Sequence, residues 1–246
     1  MKTPGFLLLF LSPFLLFSQK TTYPDYIGIS SGLNVARLSH KHPDIFGLLH
    51  DDHDVHINHR ESPFLSFFLE VPGRGNRSGL IELGYLFNGS TTLDTSYIRG
   101  YVRHRTYQEL RFNYLHVPIY TKHYFSRYRY GLFINYGFGF SFFQSGRIWR
   151  EELLENANPP WTTIRNRKYP ARSLVQNRFD IYLLLGLGWQ EDLWKGKIHF
   201  EWRFMLGLVD LTHLEEYSIL QRNSLFTLGY KLPLKTFGEL FKRKEE

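Results

Sequence analysis

Histidines and aspartates crowd one short segment of the sequence, where a histidine recurs at every third position. Six of the eleven histidines fall between positions 40 and 59, and the candidate metal ligands are His50, Asp51, His53, Asp54, His56 and His59. Imidazole and carboxylate groups together suit Zn, Cu or Ni ions. A solvated polar loop accounts equally for this composition, because histidines three apart on an extended chain share no compact face. Both interpretations stay open.

Arginines concentrate in two further polar segments that lie between apolar stretches. The candidate anion-binding residues are Arg99, Arg103, Arg105, Arg165, Arg167 and Arg172. A planar guanidinium group binds phosphate through two parallel hydrogen bonds. These arginines are therefore candidate ligands for lipopolysaccharide phosphates, although a generic soluble loop rim would have the same composition.

A third set of charged residues is isolated within apolar segments. Its members are Glu70, Glu82, Arg111, Asp180, Glu201, Arg203 and Lys231. Charges in such surroundings need partners, so we expect them to form a polar network inside a folded domain. A salt-bridged plug is the simpler interpretation, and a narrow gated path for a small solute is the alternative.

Catalytic motifs are not evident in the sequence. It has no G-x-S-x-G, no H-E-x-x-H, no phosphate-binding loop and no cysteine, which excludes a thiol nucleophile and a disulfide scaffold. His104, His116, His123 and Ser126 are the nearest candidates for a lipid-acting enzyme, but their spacing requires no triad. We expect no catalytic residues and no cofactor.

The elements that must position these residues are strands. From Ile198 to Val209, large apolar residues alternate with polar or small ones, which is the period of a β-strand with two different environments. Eight segments share this pattern: 27–35, 65–71, 81–88, 107–125, 130–142, 179–189, 198–209 and 225–232. The phase of apolar residues changes within 107–125, which predicts a β-bulge near Asn113–Leu115.

The composition of the two strand faces indicates which one is interior. One face is rich in glycine, serine and asparagine with few charges, whereas the other holds phenylalanine, tryptophan, tyrosine and leucine. Small residues inside and bulky ones outside are typical of an eight-stranded antiparallel transmembrane β-barrel, an all-β fold of the outer-membrane type. The connections alternate between long and short, which predicts four long extracellular loops and short periplasmic turns. A secreted lipocalin-like binding barrel, with its apolar face inside, is the alternative.

The N-terminal segment has the layout of a secretory signal peptide. Lys2 precedes an apolar stretch from Phe6 to Phe17, and Ser18 follows it. We expect a signal peptide at 1–18, a barrel at 19–234 and a charged periplasmic tail at 235–246. The mean hydropathy of −0.31 excludes a helical membrane protein.

Several of these segments resemble one protein family. YLHVPIYTKHYF, YGLFINYGFGFSF, NRFDIYLLLGLGWQ and SLFTLGYKL are similar to segments of the PorT-like porin-family outer-membrane barrels of Bacteroidetes. His116 stands where that family has an acidic residue. The resemblance implies an eight-stranded outer-membrane barrel, and it supplies no catalytic residues that could be assigned to this sequence. The role of most members is undefined, and a few assist protein secretion or adhesion.

The expected function is a structural or interaction role in the outer membrane of a Gram-negative cell, as an accessory of an envelope or secretion complex. A narrow channel for small solutes and a lipid-modifying enzyme are alternatives. The expected partners are outer-membrane lipid, lipopolysaccharide and other envelope proteins that bind the loops or the tail. We expect a monomer, and no nucleic-acid partner, because the basic residues lie in loops rather than on a folded basic face.

Overall fold

The computed structural model describes residues 24–40, 54–98, 102–155, 162–170, 177–210 and 219–236. Its strands are β1 (Tyr26–His40), β2 (Asp54–Asn58), β3 (Arg60–Pro72), β4 (Arg77–Ile98), β5 (Val102–Tyr124), β6 (Gly131–Glu155), β7 (Thr162–Pro170), β8 (Phe179–Leu193), β9 (Gly196–Gly207) and β10 (Ile219–Pro233). Among the described residues, no helix has the length and apolarity that a membrane span requires. The predicted signal peptide and the tail beyond Thr236 lie outside the described residues.

Eight of the strands close into an antiparallel barrel. Around the ring the order is β3, β1, β10, β9, β8, β6, β5 and β4, and β4 pairs again with β3. The first and last strands pair along their whole length, from Tyr26 opposite Pro233 to His40 opposite Ile219. The remaining two strands are outside the ring, where β2 pairs with β4 and β7 pairs with β6. The predicted eight-stranded antiparallel barrel is confirmed.

The two faces of each barrel strand have the predicted environments. In β9, Glu201 and Arg203 are fully buried, whereas Phe200 and Trp202 are exposed on the outside. The same alternation produces an apolar outer belt that includes Ile29, Leu33, Leu65, Phe67, Ile81, Leu83, Leu132, Leu185, Leu187, Trp189, Phe226 and Leu228. An apolar exterior suits lipid, so the lipocalin-like alternative, which requires this face inside, is excluded.

The lumen contains larger side chains than the sequence predicts. Small residues line much of the lumen, but large rings occupy the space that they leave. A side chain at Gly139 would overlap the Tyr182 hydroxyl, and one at Gly188 would overlap the Phe133 ring. Each glycine therefore accommodates an aromatic ring from a neighbouring strand, and the barrel is filled rather than narrow and empty.

A register shift occurs where the sequence predicts a bulge, but the extra residue belongs to the partner strand. Asn113 is opposite Ser145 and Tyr114 is opposite Phe143, which leaves Gln144 of β6 without a counterpart. Strand β5 keeps its period, because Tyr114 and every second residue onward to Tyr124 are buried. The phase change in β5 arises because its interior residues are apolar at one end of the barrel and polar at the other.

Two of the four connections predicted as long loops are largely strand where the structure describes them. Within 89–105, β4 and β5 remain paired until Ile98 opposite Val102, and much of 145–176 belongs to β6 and β7. Strands β4, β5 and β6 have 22, 23 and 25 residues, whereas β9 has 12. Since a membrane-spanning strand needs about 9–11 residues, these three continue well beyond the barrel. The predicted short turns are confirmed at residues 73–76, 125–130 and 194–195.

Candidate functional site

A polar cluster fills the lumen near the three short turns. Lys231 Nζ donates a hydrogen bond to Glu70 Oε2, and the Tyr124 hydroxyl donates to Glu70 Oε1 at 2.9 Å. Lys231 Nζ also lies 3.3 Å from the Tyr124 hydroxyl and 4.7 Å from the centroid of the Tyr26 ring. Tyr124 Oη is 3.3 Å from Gln190 Oε1. Strands β1, β3, β5, β8 and β10 are thus linked across the interior.

Arg203 is the centre of a second cluster, about midway along the lumen. Its Nη1 donates to Glu82 Oε2 at 2.7 Å, and its Nε donates to Glu201 Oε1. Its Nη2 donates to the Tyr120 hydroxyl at 2.8 Å, and that hydroxyl donates to Glu82 Oε2 at 3.0 Å. Charge-assisted hydrogen bonds of this kind hold a buried guanidinium group in one geometry.

The second carboxylate oxygen of Glu201 extends the cluster to β5 and β6. It accepts a hydrogen bond from Asn135 Nδ2 at 2.9 Å and lies 3.8 Å from Lys122 Nζ. Lys122 Nζ is also 4.1 Å from the centroid of the Phe133 ring. The two clusters contain three acidic and three basic residues, all fully buried: Glu70, Glu82, Glu201, Lys122, Arg203 and Lys231. Their formal charges cancel, as buried charges require.

Two members of the predicted network lie apart from these clusters. Asp180 is buried near the opposite end of the lumen, where it accepts a hydrogen bond from the Val209 backbone N–H at 3.1 Å. Arg111 is half exposed and bonds Glu109 at 2.7 Å, so it does not contact the network. Its inclusion there is wrong, because the interior residues of β5 at this height are apolar and the polar positions face outward.

Sequence reasoning missed five interior residues that complete the clusters, namely Tyr120, Lys122, Tyr124, Asn135 and Gln190. The first three occupy every second position of β5, in phase with Tyr114. The expected bulge within β5 concealed this regular period. An unbroken period of two through β5 would have identified them.

The other half of the lumen is mainly apolar, although Asn34, Ser62, Asn88 and Gln221 form a neutral hydrogen-bonded group there and Asp180 is also buried. Its buried side chains include Phe64, Leu86, Leu110, Phe112, Tyr114, Phe143, Leu184, Met205 and Leu225. At its border with the charged half, His116 stacks on Tyr182 with 4.9 Å between ring centroids, and Tyr182 Oη is 3.2 Å from His116 Nε2. A packed apolar layer thus lies above the charged clusters and occupies the lumen.

The histidines considered for catalysis do not share a site. His116 is buried inside the lumen, whereas His123 lies near a short turn with its Nε2 3.2 Å from Asn76 Nδ2. Ser126 Oγ accepts a hydrogen bond from the Tyr128 backbone N–H at 3.3 Å. His104 is on β5 opposite Leu154 of β6, in the part of that strand beyond the barrel.

Three barrel strands, β4, β5 and β6, continue past the barrel and form with β2 and β7 one antiparallel sheet, which we term the protruding sheet. Its order is β2, β4, β5, β6 and β7. Among the described strands, β2 pairs only with β4, and β7 pairs only with β6. The sheet therefore has two edge strands with no second partner in the described part of the chain.

The arginines predicted to form a loop rim lie on this sheet where the structure describes them. Arg103 of β5 is opposite Glu155, and Arg165 of β7 is opposite Glu152. Arg105 is also on β5, and Arg167 is opposite Arg150 on β6. Arg99 and Arg172 lie outside the described residues. The described arginines are thus spread over two strands rather than gathered on mobile loops.

The predicted metal ligands are only partly described. His50, Asp51 and His53 lie outside the described residues, while Asp54 and His56 are on β2, opposite Thr95 and Leu93. His59 is exposed, and its Nε2 is 3.7 Å from Glu61 Oε1. In the part of the chain that the structure covers, no group of three or more potential ligands is close enough to hold a metal ion.

A comparison with protein families agrees with this architecture. The family model described as "Outer membrane protein beta-barrel domain" matches residues 17–213. The chain belongs to this outer-membrane β-barrel family. Its location is therefore the outer membrane. In such barrels the short turns face the periplasm, so the protruding sheet lies outside the cell.

Solved outer-membrane barrels are similar to this chain at low identity. The attachment invasion locus protein Ail of Yersinia pestis is 9% identical, over 85% of this chain and 100% of that one, with a TM-score of 0.33. OprG from Pseudomonas aeruginosa is 8% identical over 86% and 98%, with a TM-score of 0.39. The outer membrane protease OmpT from Escherichia coli is 10% identical over 87% and 97%, with a TM-score of 0.36. No curated protein matches the chain significantly.

Proposed function

We propose that this outer-membrane barrel is an interaction component of the cell envelope that presents the protruding sheet to a partner outside the cell. The observation that carries the proposal is the length of β4, β5 and β6, which have 22, 23 and 25 residues. About half of each strand exceeds what a bilayer requires. Such an extension adds nothing to spanning the membrane, and it creates a large ordered surface above it.

The edge strands favour a partner segment that adds to the sheet. A strand without a second neighbour offers a row of backbone N–H and C=O groups, to which an extended peptide can pair. Strand β7 carries Arg165, Arg167 and Lys168 within nine residues. These cations favour an acidic segment, and they discourage pairing with a second copy of the same basic strand.

The filled lumen supports an interaction role over transport. Charged residues are paired in one half, and packed apolar side chains occupy the other. An eight-stranded barrel has an interior just wide enough for its side chains, so this packing leaves little room for a solute. In this proposal the barrel is a rigid membrane anchor for the sheet.

We also propose a closer family relationship for the chain and cleavage of its N-terminal segment. We place the protein among the PorT-like porin-family barrels of Bacteroidetes, as a monomer whose signal peptide at 1–18 is removed. Support comes from the segments quoted above and from the layout of the N-terminus. Mass spectrometry of the mature protein is expected to find Gln19 as the first residue, and an N-terminus at Met1 would contradict this part.

Photo-crosslinking in the native host tests the interaction role. We would insert a benzophenone amino acid at Asn166 or Lys168 of β7, and at Leu185 of the lipid-facing belt as the control. A discrete protein adduct from the β7 positions alone is the expected result. Adducts absent from both β7 positions, or equal to those at Leu185, would refute the proposal. An adduct that contains lipopolysaccharide instead of protein would identify the sheet as an anion-binding rim and would also refute it.

A further inference from the structure

The periplasmic end of the barrel carries an exposed ring of aromatic and basic residues, which we term the periplasmic rim. It consists of Arg74, Arg77, Phe125, Arg127, Tyr128, Tyr130, Trp194 and Lys195, and all eight are exposed. Trp194 is 92% exposed, and Tyr128 stacks on Tyr130 with 6.0 Å between ring centroids. These residues lie on the three short turns or beside them, so the rim surrounds the periplasmic mouth.

Trp194, at the tip of one turn, combines a strained backbone conformation with an exposed side chain, so packing within the chain does not explain it. Trp194 has a φ of 52°, in the left-handed region that favours glycine or asparagine. Its side chain is nevertheless almost fully exposed. A large residue in a strained backbone conformation gains no packing energy from the barrel when its side chain is exposed. An indole ring at this height does gain from the headgroup region of a bilayer, where tryptophan and tyrosine concentrate.

At the periplasmic end of the barrel, exposed positive charges outnumber exposed negative charges. Asp192 is bonded to Lys197 at 2.6 Å, and Glu191 accepts a hydrogen bond from Trp189 Nε1 at 2.9 Å. In the described part of the chain, the four exposed cations of the rim have no carboxylate partner: Arg74, Arg77, Arg127 and Lys195.

A further contact fixes two of the three turns to each other. Arg129 Nη2 donates to the Gly73 carbonyl at 2.8 Å and to the Gly75 carbonyl at 3.2 Å. The Arg129 carbonyl in turn accepts a hydrogen bond from Gln190 Nε2 at 2.8 Å. The turns that carry Arg74 and Arg127 are therefore fixed to each other.

We propose that the periplasmic rim binds the anionic headgroups of phospholipids in the periplasmic leaflet. The apolar belt ends at this height, so lipid phosphates lie level with the turns. Exposed lysine and arginine near a membrane surface attract anionic headgroups, and the adjacent aromatic rings anchor at the same level. The chemistry fits phosphatidylglycerol better than phosphatidylcholine, whose headgroup has no net charge. This inference is independent of the proposed partner outside the cell.

The absence of cysteine allows a local test with one label. We would introduce Ser126→Cys in a rim turn, attach a bimane fluorophore and reconstitute the full chain into nanodiscs. Quenching by brominated phosphatidylglycerol is then compared with quenching by brominated phosphatidylcholine of the same chain length. We expect about threefold stronger quenching by the anionic lipid, and loss of this preference at high salt.

Charge variants decide whether the rim causes the preference. Arg74→Gln/Arg127→Gln/Lys195→Gln is expected to abolish it, whereas Arg37→Gln/Arg147→Gln/Arg222→Gln, exposed at the other end, is expected to leave it unchanged. A wild-type label that shows no lipid preference would overturn the proposal. So would a preference that survives in the rim variant, or one that both triple variants lose. Each protein is first checked for a heat-dependent gel shift, and Lys195→Gln alone, with a partial loss expected, replaces a triple variant that does not fold.

Discussion

Arg203 and Glu82 lie 121 positions apart in the chain and meet inside the barrel, with Arg203 Nη1 2.7 Å from Glu82 Oε2. Both side chains are fully buried. Arg203 also bonds Glu201 on its own strand, so one guanidinium group bridges two carboxylates, and Lys122, 3.8 Å from Glu201, supplies the second positive charge. Because water cannot take the place of a missing partner there, the stability of the barrel depends on this residue.

Loss of Arg203 should therefore be costly. Arg203→Met keeps most of the side-chain volume but leaves Glu82 buried without its cation and Glu201 with Lys122 alone. We expect the free energy of unfolding in detergent or vesicles to fall by about 3–5 kcal/mol. Arg37→Met, at an exposed position of β1, should change it by less than about 0.5 kcal/mol. Equal effects of the two substitutions would contradict the buried network.

The Glu70–Lys231 pair should show strong energetic coupling. Lys231→Met leaves a buried carboxylate unpaired, and Glu70→Gln leaves a buried ammonium group unpaired. Glu70→Gln/Lys231→Met removes both charges and should recover part of the loss. A double-mutant cycle of unfolding free energies should give a coupling of about 1–3 kcal/mol. Additive effects would show that the two groups do not meet in the lumen.

Gly139 should tolerate no side chain. A Cβ there overlaps the Tyr182 ring and hydroxyl, and Tyr182 is itself buried against His116. Gly139→Ala should lower the free energy of unfolding by about 1–3 kcal/mol through overpacking. Ser145→Ala, at an exposed position on the same strand, is the control and should have little effect. Tyr182→Phe should not rescue Gly139→Ala, because the ring carbon overlaps as well as the hydroxyl.

Conductance measurements separate a filled barrel from a channel. We expect no discrete current steps from the wild type in a planar bilayer. Arg203→Met should also be silent, because Leu110, Phe112 and Tyr114 still fill the extracellular half of the lumen. Gramicidin added at the end of each recording verifies that single channels are detectable. Reproducible steps from the wild type would support the narrow-channel alternative.

The fold was predictable from sequence wherever the two strand faces meet different surroundings. In β9, lipid on one side and the polar lumen on the other force Phe200, Trp202 and Phe204 to alternate with His199, Glu201 and Arg203. Seven other segments show the same alternation of apolar residues with polar or small ones. The protruding sheet was not predictable in this way, because its segments do not alternate regularly between apolar and polar residues.

The interior was predictable only in its charged half. Glu70, Glu82, Glu201 and Lys231 are unusual residues within apolar segments, so they suggested an internal network. The expectation that polar residues face the lumen fails near the extracellular end of β5. There, Leu110 and Phe112 are buried and Arg111 is outside. Which carboxylate meets which cation depends on strands far apart in sequence, and only the barrel register determines it.

The chain forms a closed, filled barrel in the outer membrane, and one gel tests this most directly. Outer-membrane fractions from cells that express the full chain are run on SDS gels with and without boiling. We expect the protein in this fraction, with a different mobility before and after boiling, because the closed hydrogen-bonded barrel resists SDS until heated. A protein found in the soluble fraction, with the same mobility in both lanes, would contradict the barrel and its membrane location.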